Sequence, residues 1–138
     1  MDEQKLPVKE QTQNQKVKKS ILVVEDDIFY SNIYKLKLTK EGYDVIIAQD
    51  GQEALKSAQA KKPSIILLDL IMPTKDGFQT LRELKADASL KDIKVVILSN
   101  LGQEEDIKEA KKLGAIDYLI KTNYSIQQIL EKIGQYLR

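Results

Sequence analysis

The sequence predicts a three-layer α/β domain, a parallel sheet with helices on both faces. Two observations carry this. Five short apolar runs are continuous rather than alternating, as in strands covered on both sides. Between them lie segments whose apolar residues recur at helical spacing, and strand–helix alternation at so short a period calls for right-handed crossovers and a parallel sheet. A length of 138 residues suits one such domain.

The strands are predicted at Ile21 to Val24, Val45 to Ile47, Ile65 to Leu68, Val95 to Leu98 and Tyr118 to Ile120. Helical stripes follow each of them in turn. The first is Tyr30, Tyr34 and Leu38; the second, Ala54, Leu55 and Ala58; the third, Phe78, Leu81 and Leu84. The fourth is Ile107, Ala110 and Leu113, and the last is Ile126, Ile129, Leu130, Ile133 and Leu137. Residues 1–19 are rich in Lys and Gln, with only Leu6, Val8 and Val17 as aliphatic residues beyond the initiator. That is too little apolar surface to offset the entropy of ordering, so a flexible polar tail is expected before a domain spanning 20–138. The chain stops at Arg138 after the fifth helical stripe, and no separate output domain is expected.

Composition removes several functions. Lys+Arg number 22 against 21 Asp+Glu, a net charge of +1 that supplies no overall field toward nucleic acid or anionic lipid. Without Cys there is no disulfide, thiolate nucleophile or zinc ribbon, which fits a reducing compartment. Without His there is no imidazole base or metal ligand, and any phosphohistidine must belong to another protein. No apolar run nears the roughly 18 residues that span a bilayer, and the start lacks a signal-peptide core. A soluble cytoplasmic protein is expected, with neither nucleic acid nor membrane as partner.

Ligands of open parallel sheets collect beyond the carboxyl ends of the strands. There the sequence places Glu25, Asp26 and Asp27 after the first run, Asp69 after the third, Ser99 and Asn100 after the fourth, and Lys121 after the fifth. Mg²⁺ takes an octahedral shell of oxygens from one or two carboxylates, phosphate and water, and Glu25, Asp26 and Asp69 can supply carboxylates. Asp69 could then act as the nucleophile, since a carboxylate accepts a phosphoryl group as an acyl phosphate once cations offset the charge. Lys121 and Ser99 would bind the phosphoryl oxygens. Plainer readings exist: Asp27 as a helix cap, Lys121 as a solvated rim lysine, Ser99 as a turn cap. Asp69 is the hardest to dismiss, because an ionisable residue ends a buried strand.

These pieces lie in ordered motifs: ILVVEDD at 21–27, EGYDV at 41–45, DGQEAL at 50–55, IILLDLIMPTKDG at 65–77, VVILS at 95–99 and GAIDYLIK at 114–121. Together they resemble the receiver domain of bacterial two-component response regulators over essentially all of 20–138. The resemblance implies a flavodoxin-like fold of strand order 2-1-3-4-5, with Asp69 as phosphoacceptor. It implies Mg²⁺ held by Glu25, Asp26, Asp69 and the backbone carbonyl of Ile71. Ser99 becomes the switch hydroxyl, Lys121 the phosphate-binding lysine and Tyr118 the switch aromatic, although Tyr118 also reads as an amphipathic aromatic on an edge strand. Such a domain catalyses only its own phosphorylation and dephosphorylation and is not otherwise an enzyme. The implied donor is a sensor histidine kinase or a histidine phosphotransfer protein. The implied output surface is the face of the fourth helix, fifth strand and fifth helix, with Lys108, Lys112, Tyr118 and Gln127 as candidate contacts. Asp76 and Gly77 look like a tight turn after Pro73, glycine admitting a backbone that side chains forbid.

The sequence departs from the family at three places. Lys121 is followed by Thr122, where relatives usually carry a proline in a cis bond; before a non-proline residue that bond costs about 2.5–4 kcal/mol, which puts the carried-over lysine placement in question. Asn100 replaces a commonly small residue, so its amide is expected to line or partly cover the pocket. Ile71 and Leu101 are apolar where relatives often carry polar side chains, so water near an acyl phosphate is expected to be scarce. Two competing readings are a degenerate receiver that only binds partners, and a Mg²⁺-dependent phosphatase with an aspartate nucleophile. Haloacid-dehalogenase-like phosphatases carry that nucleophile in a D-x-D pattern on the first strand, which Asp69 does not match. Neither G-x-x-x-x-G-K-[ST] nor G-x-G-x-x-G is present.

Overall fold

The computed structural model describes residues 18–73 and 76–138. Apart from Lys18 and Lys19, the expected N-terminal tail lies outside the described residues. Elements alternate in chain order: β1 (Ser20–Val24), α1 (Ile28–Lys40), β2 (Asp44–Ala48), α2 (Gly51–Lys61), β3 (Ile65–Leu68), α3 (Gly77–Ala86), β4 (Lys94–Ser99), α4 (Glu104–Lys112), β5 (Asp117–Ile120), a 3₁₀ turn (Lys121–Asn123) and α5 (Ile126–Tyr136). The five strands are all parallel and ordered β2-β1-β3-β4-β5, as expected.

The continuous apolar runs are explained by burial on both faces. Leu22, Val24, Ile66, Leu68, Val95 and Ile97 pack with Ala54, Leu81, Leu84 and Ala110 from α2, α3 and α4. The alternate residues Ile21, Val23, Ile65, Leu67, Val96 and Leu98 pack with Tyr34 and Leu38 of α1 and Ile129 and Ile133 of α5. Strand periodicity of two thus feeds two cores, one per face.

Side-chain caps fix the starts of α1, α2, α3 and α5, whereas α4 begins after Gln103 without one. Asp27 accepts from the Phe29 amide at 2.9 Å, Asp50 from Glu53 at 2.8 Å, and Asp76 from Gln79 at 2.9 Å. Ser125 and Gln128 form a reciprocal capping box at α5.

The turn expected at Asp76 and Gly77 is corrected by the structure. Gly77 is the first residue of α3, and the glycines with positive φ among the described residues are Gly42 (98°) and Gly114 (112°). Glycine is required at position 77 by close approach instead: a Cβ there would lie 2.4 Å from the Leu70 Cα and 2.5 Å from the Asp69 carbonyl oxygen. The helix start is thereby pressed against the segment that carries Asp69.

Candidate functional site at the carboxyl end of the sheet

Sheet hydrogen bonding continues one residue past the strands. The Glu25 amide donates to the Ala48 carbonyl at 2.9 Å, and the Asp69 amide donates to the Val24 carbonyl at 3.1 Å. Both carboxyl groups are therefore set on rigid backbone, and both are buried, whereas Asp26 is exposed. Carboxylate oxygens of Glu25, Asp26 and Asp69 all lie within 4.8 Å of one another.

Lys121, only 8% exposed, reaches this cluster from the 3₁₀ turn after β5. Its Nζ donates to Asp69 Oδ2 at 3.1 Å and to Glu25 Oε1. The remaining oxygens are also engaged: Asp69 Oδ1 accepts from the Ile71 amide at 3.1 Å, and Glu25 Oε2 from the Asp27 amide at 3.0 Å. The rim-lysine reading is thus overturned. So is dependence on a cis bond, because no cis peptide occurs among the described residues.

Burial pushes the Glu25 carboxyl above its usual range, against the opposing pull of the Lys121 hydrogen bond. Burial also works against the charge on Lys121, but the Glu25 hydrogen bond and the two carboxylate charges outweigh it, and the lysine is held protonated. By formal charge, three carboxylates outnumber the one ammonium by two. A divalent cation matches that deficit, and the all-oxygen donor set suits a hard ion.

Ser99 ends β4 fully buried, and its Oγ accepts from the Leu101 amide at 3.3 Å. It caps a turn, as the plainer reading held, and among the described residues no hydrogen bond uses its own proton. Tyr118 is buried and donates its hydroxyl proton to the Leu101 carbonyl. Burial pushes that phenol up to about 12, with Asp106 and Asp69 adding to the effect. Being buried, Tyr118 is not a surface contact in this state, contrary to expectation.

Lys108 and Lys112 are exposed on α4 as expected, but Gln127 lines a groove with Lys18, Glu41 and Tyr43, on the α1 side of α5. Asn100 is exposed. Ile71 is apolar but 55% exposed, and Leu101 is half-buried.

Two features escaped the sequence reading. Tyr30, placed there on a helical stripe with Tyr34, has its ring 4.4 Å from the Lys121 ammonium. Ile28 and Phe29, 62% and 66% exposed, begin α1 beside the acidic cluster. Their place directly after Asp27 was the available signal, since a cap at that position opens a helix whose first residues face outward.

The family model for the response regulator receiver domain matches residues 21–134. A probable transcriptional regulator ycf27 of Cyanophora paradoxa is 37% identical over 88% of this chain and 49% of its own length. The chain therefore spans about half of that relative. Protein PilH of Pseudomonas aeruginosa is 39% identical over 73% of this chain and 84% of its own. Among solved structures, the Mn²⁺-bound form of response regulator Rcp1 superposes with a TM-score of 0.72 and 31% identity, over 85% of this chain and 90% of that one. Sheet order, acidic cluster, paired lysine and family match agree, and this chain belongs to the response regulator receiver domain family.

Proposed function

We propose that the domain accepts a phosphoryl group on Asp69 from a phosphohistidine of a sensor histidine kinase or histidine phosphotransfer protein, and passes the change to a downstream protein. The observation that carries this is the buried Asp69 carboxylate, 3.1 Å from the Lys121 ammonium and beside Glu25 and Asp26. In transfer, an Asp69 oxygen forms its bond to phosphorus as the bond from phosphorus to the donor imidazole nitrogen breaks, the nitrogen keeping the electron pair. The chain has no histidine, so the donor is another molecule. Lys121 then follows the negative charge onto the phosphoryl oxygens, and Ser99 donates its free proton to one of them. Glu25, Asp26, Asp69 and the Ile71 carbonyl would hold Mg²⁺, which when bound neutralises carboxylate and phosphoryl charge. That the structurally similar Rcp1 was solved in an Mn²⁺-bound form supports a divalent cation as a ligand of this domain.

A donor must cover the mouth of the pocket to reach Asp69. Exposed Ile28, Phe29 and Ile71 give that rim an apolar character suited to a protein surface. On the output side, movement of Ser99 would be conveyed through Leu101 to Tyr118, altering the face formed by α4, β5 and α5, where Lys108 and Lys112 are exposed. Residence in the cytoplasm, alongside the donor's catalytic parts, completes the proposal; no helix among the described residues is long and apolar enough to cross a membrane.

Intact-mass measurement after incubation with acetyl phosphate tests it. A single phosphoryl adduct is expected with Mg²⁺ and none with excess chelator. Failure to label with either acetyl phosphate or a phosphorylated kinase, Mg²⁺ being present, would overturn the reading in favour of a binding-only receiver.

The lifetime of the adduct depends on water. Hydrolysis requires a water in line with phosphorus and oriented by a hydrogen-bonding group, which neither Ile71 nor Leu101 provides. Decay of the purified phosphoprotein is therefore expected to be slow, and Ile71→Asn, alone or with Leu101→Glu, should accelerate it about tenfold. Equal decay constants for the three proteins would show that these side chains do not govern water access.

A further inference from the structure

The geometry points to Tyr30 as a positioning residue that holds the Lys121 ammonium over the acceptor carboxylate, with Tyr34 as its rigid backing. The inference rests on the phosphoryl-acceptor reading and adds to it a residue outside the acidic cluster. An ammonium has three protons and no acceptor capacity. Two directions around Lys121 Nζ are taken by Glu25 Oε1 and Asp69 Oδ2, and a third side is faced by the Tyr30 ring, 4.4 Å from Nζ to centroid. A ring face attracts a cation through its quadrupole, more strongly where water is excluded, as around this buried lysine.

The ring is itself fixed. Tyr30 stacks on Tyr34 with centroids 6.1 Å apart and planes 20° from parallel, and Phe29 meets it edge-on at 5.6 Å and 77°. Tyr34 is fully buried in the core beneath α1, among Leu38, Ile129 and Ile133. The stack therefore runs from solid core to the lysine.

A lysine has a flexible four-carbon stem, and its two carboxylate bonds exist only while those oxygens are free to accept. When negative charge appears on a phosphoryl group at Asp69, those bonds must be exchanged. The ring attracts the ammonium whichever anion it serves, so it keeps the lysine in place across the exchange. Helical spacing alone would make Tyr30 a core residue, but it is only half-buried and spends its face on a charge.

The test uses the full chain as wild type, Tyr30→Phe, Tyr30→Leu, Lys121→Met and the Tyr30→Leu, Lys121→Met double variant. In NMR spectra the Lys121 Cε protons should be shifted upfield by the ring in wild type and Tyr30→Phe, and return toward ordinary lysine values in Tyr30→Leu. Initial phosphorylation by acetyl phosphate at saturating Mg²⁺ should slow about five- to tenfold in Tyr30→Leu and stay within about twofold of wild type in Tyr30→Phe. In the Lys121→Met background, Tyr30→Leu should add no more than about twofold, because the group it positions is gone. An unshifted lysine in wild type, an undiminished rate in Tyr30→Leu, or an equal slowing with and without Lys121 would overturn the inference. A wild type that shows the ring shift yet takes up no phosphoryl group would instead overturn the phosphoryl-acceptor reading on which the role depends.

Discussion

Asp69→Asn is expected to lose phosphoryl incorporation entirely while remaining at least as stable as the wild type. An amide oxygen cannot form the acyl phosphate, so no slow residual labelling at position 69 is expected. Glu25 does not offer a substitute: both of its oxygens are occupied, one by Lys121 and one by the Asp27 amide. Asp26 is exposed and has no lysine bond of its own among the described residues. Stability should move the other way. Three carboxylates lie within 4.8 Å of one another and only Glu25 and Asp69 pair with the one ammonium, so removing one negative charge relieves repulsion that folding otherwise has to overcome. The asparagine oxygen can still accept from the Ile71 amide. Intact mass after acetyl phosphate treatment reads the first effect and the thermal midpoint without added Mg²⁺ reads the second. A persisting adduct would move the acceptor elsewhere, and a clearly lower midpoint would mean that Asp69 is chiefly a structural partner of Lys121.

Gly77→Ala should produce the largest stability loss of any one-carbon change in the domain, about 3 kcal/mol or more. The added carbon would meet the Leu70 Cα at 2.4 Å, the Asp69 carbonyl oxygen at 2.5 Å and the Leu70 Cδ2 at 2.8 Å. Two of these are backbone atoms at the end of a central strand, which cannot rotate away. Either α3 lifts from the sheet, weakening the packing of Leu81 and Leu84, or the Asp69 segment shifts and labelling slows as well. Urea unfolding and the initial labelling rate measure the two consequences. A variant within about 0.5 kcal/mol of wild type would show that the helix start adjusts freely.

The two substitutions mark what was and was not legible in the sequence. Asp69 could be located because its position depends on local pattern: a four-residue apolar strand ends and a carboxylate follows. The same logic places β1, β3 and β4, whose burial on both sheet faces leaves a continuous apolar run, while the edge strands β2 and β5 keep their runs with only partial burial. Gly77 was found for the wrong reason. Its glycine reflects a tertiary distance to Leu70 rather than a backbone angle, and no local pattern encodes such a distance. Lys121 shows the same limit, because its burial depends on Glu25, 96 positions away along the chain. Tyr30 fitted a helical stripe with Tyr34 and Leu38, yet the outer turn of that stripe faces the site, because α1 begins where β1 delivers its acidic residues. Phe29 and Leu36 of α1 are exposed as well, so the apolar residues of this helix are not confined to its buried stripe.

The two bonds that meet at Leu101 have a consequence for how this domain can diverge. Its amide binds Ser99 and its carbonyl receives Tyr118, so the proposed connection between hydroxyl and aromatic passes through main-chain atoms alone. Any residue except proline supplies both groups. Under the proposed function the side chain at 101 is free of that duty and can be exchanged to set how long a signal persists, while the main-chain connection from pocket to output face is kept. On that proposal duration and connectivity are separable traits at one position, which would let a lineage retune its memory of a stimulus without rebuilding the means of reporting it.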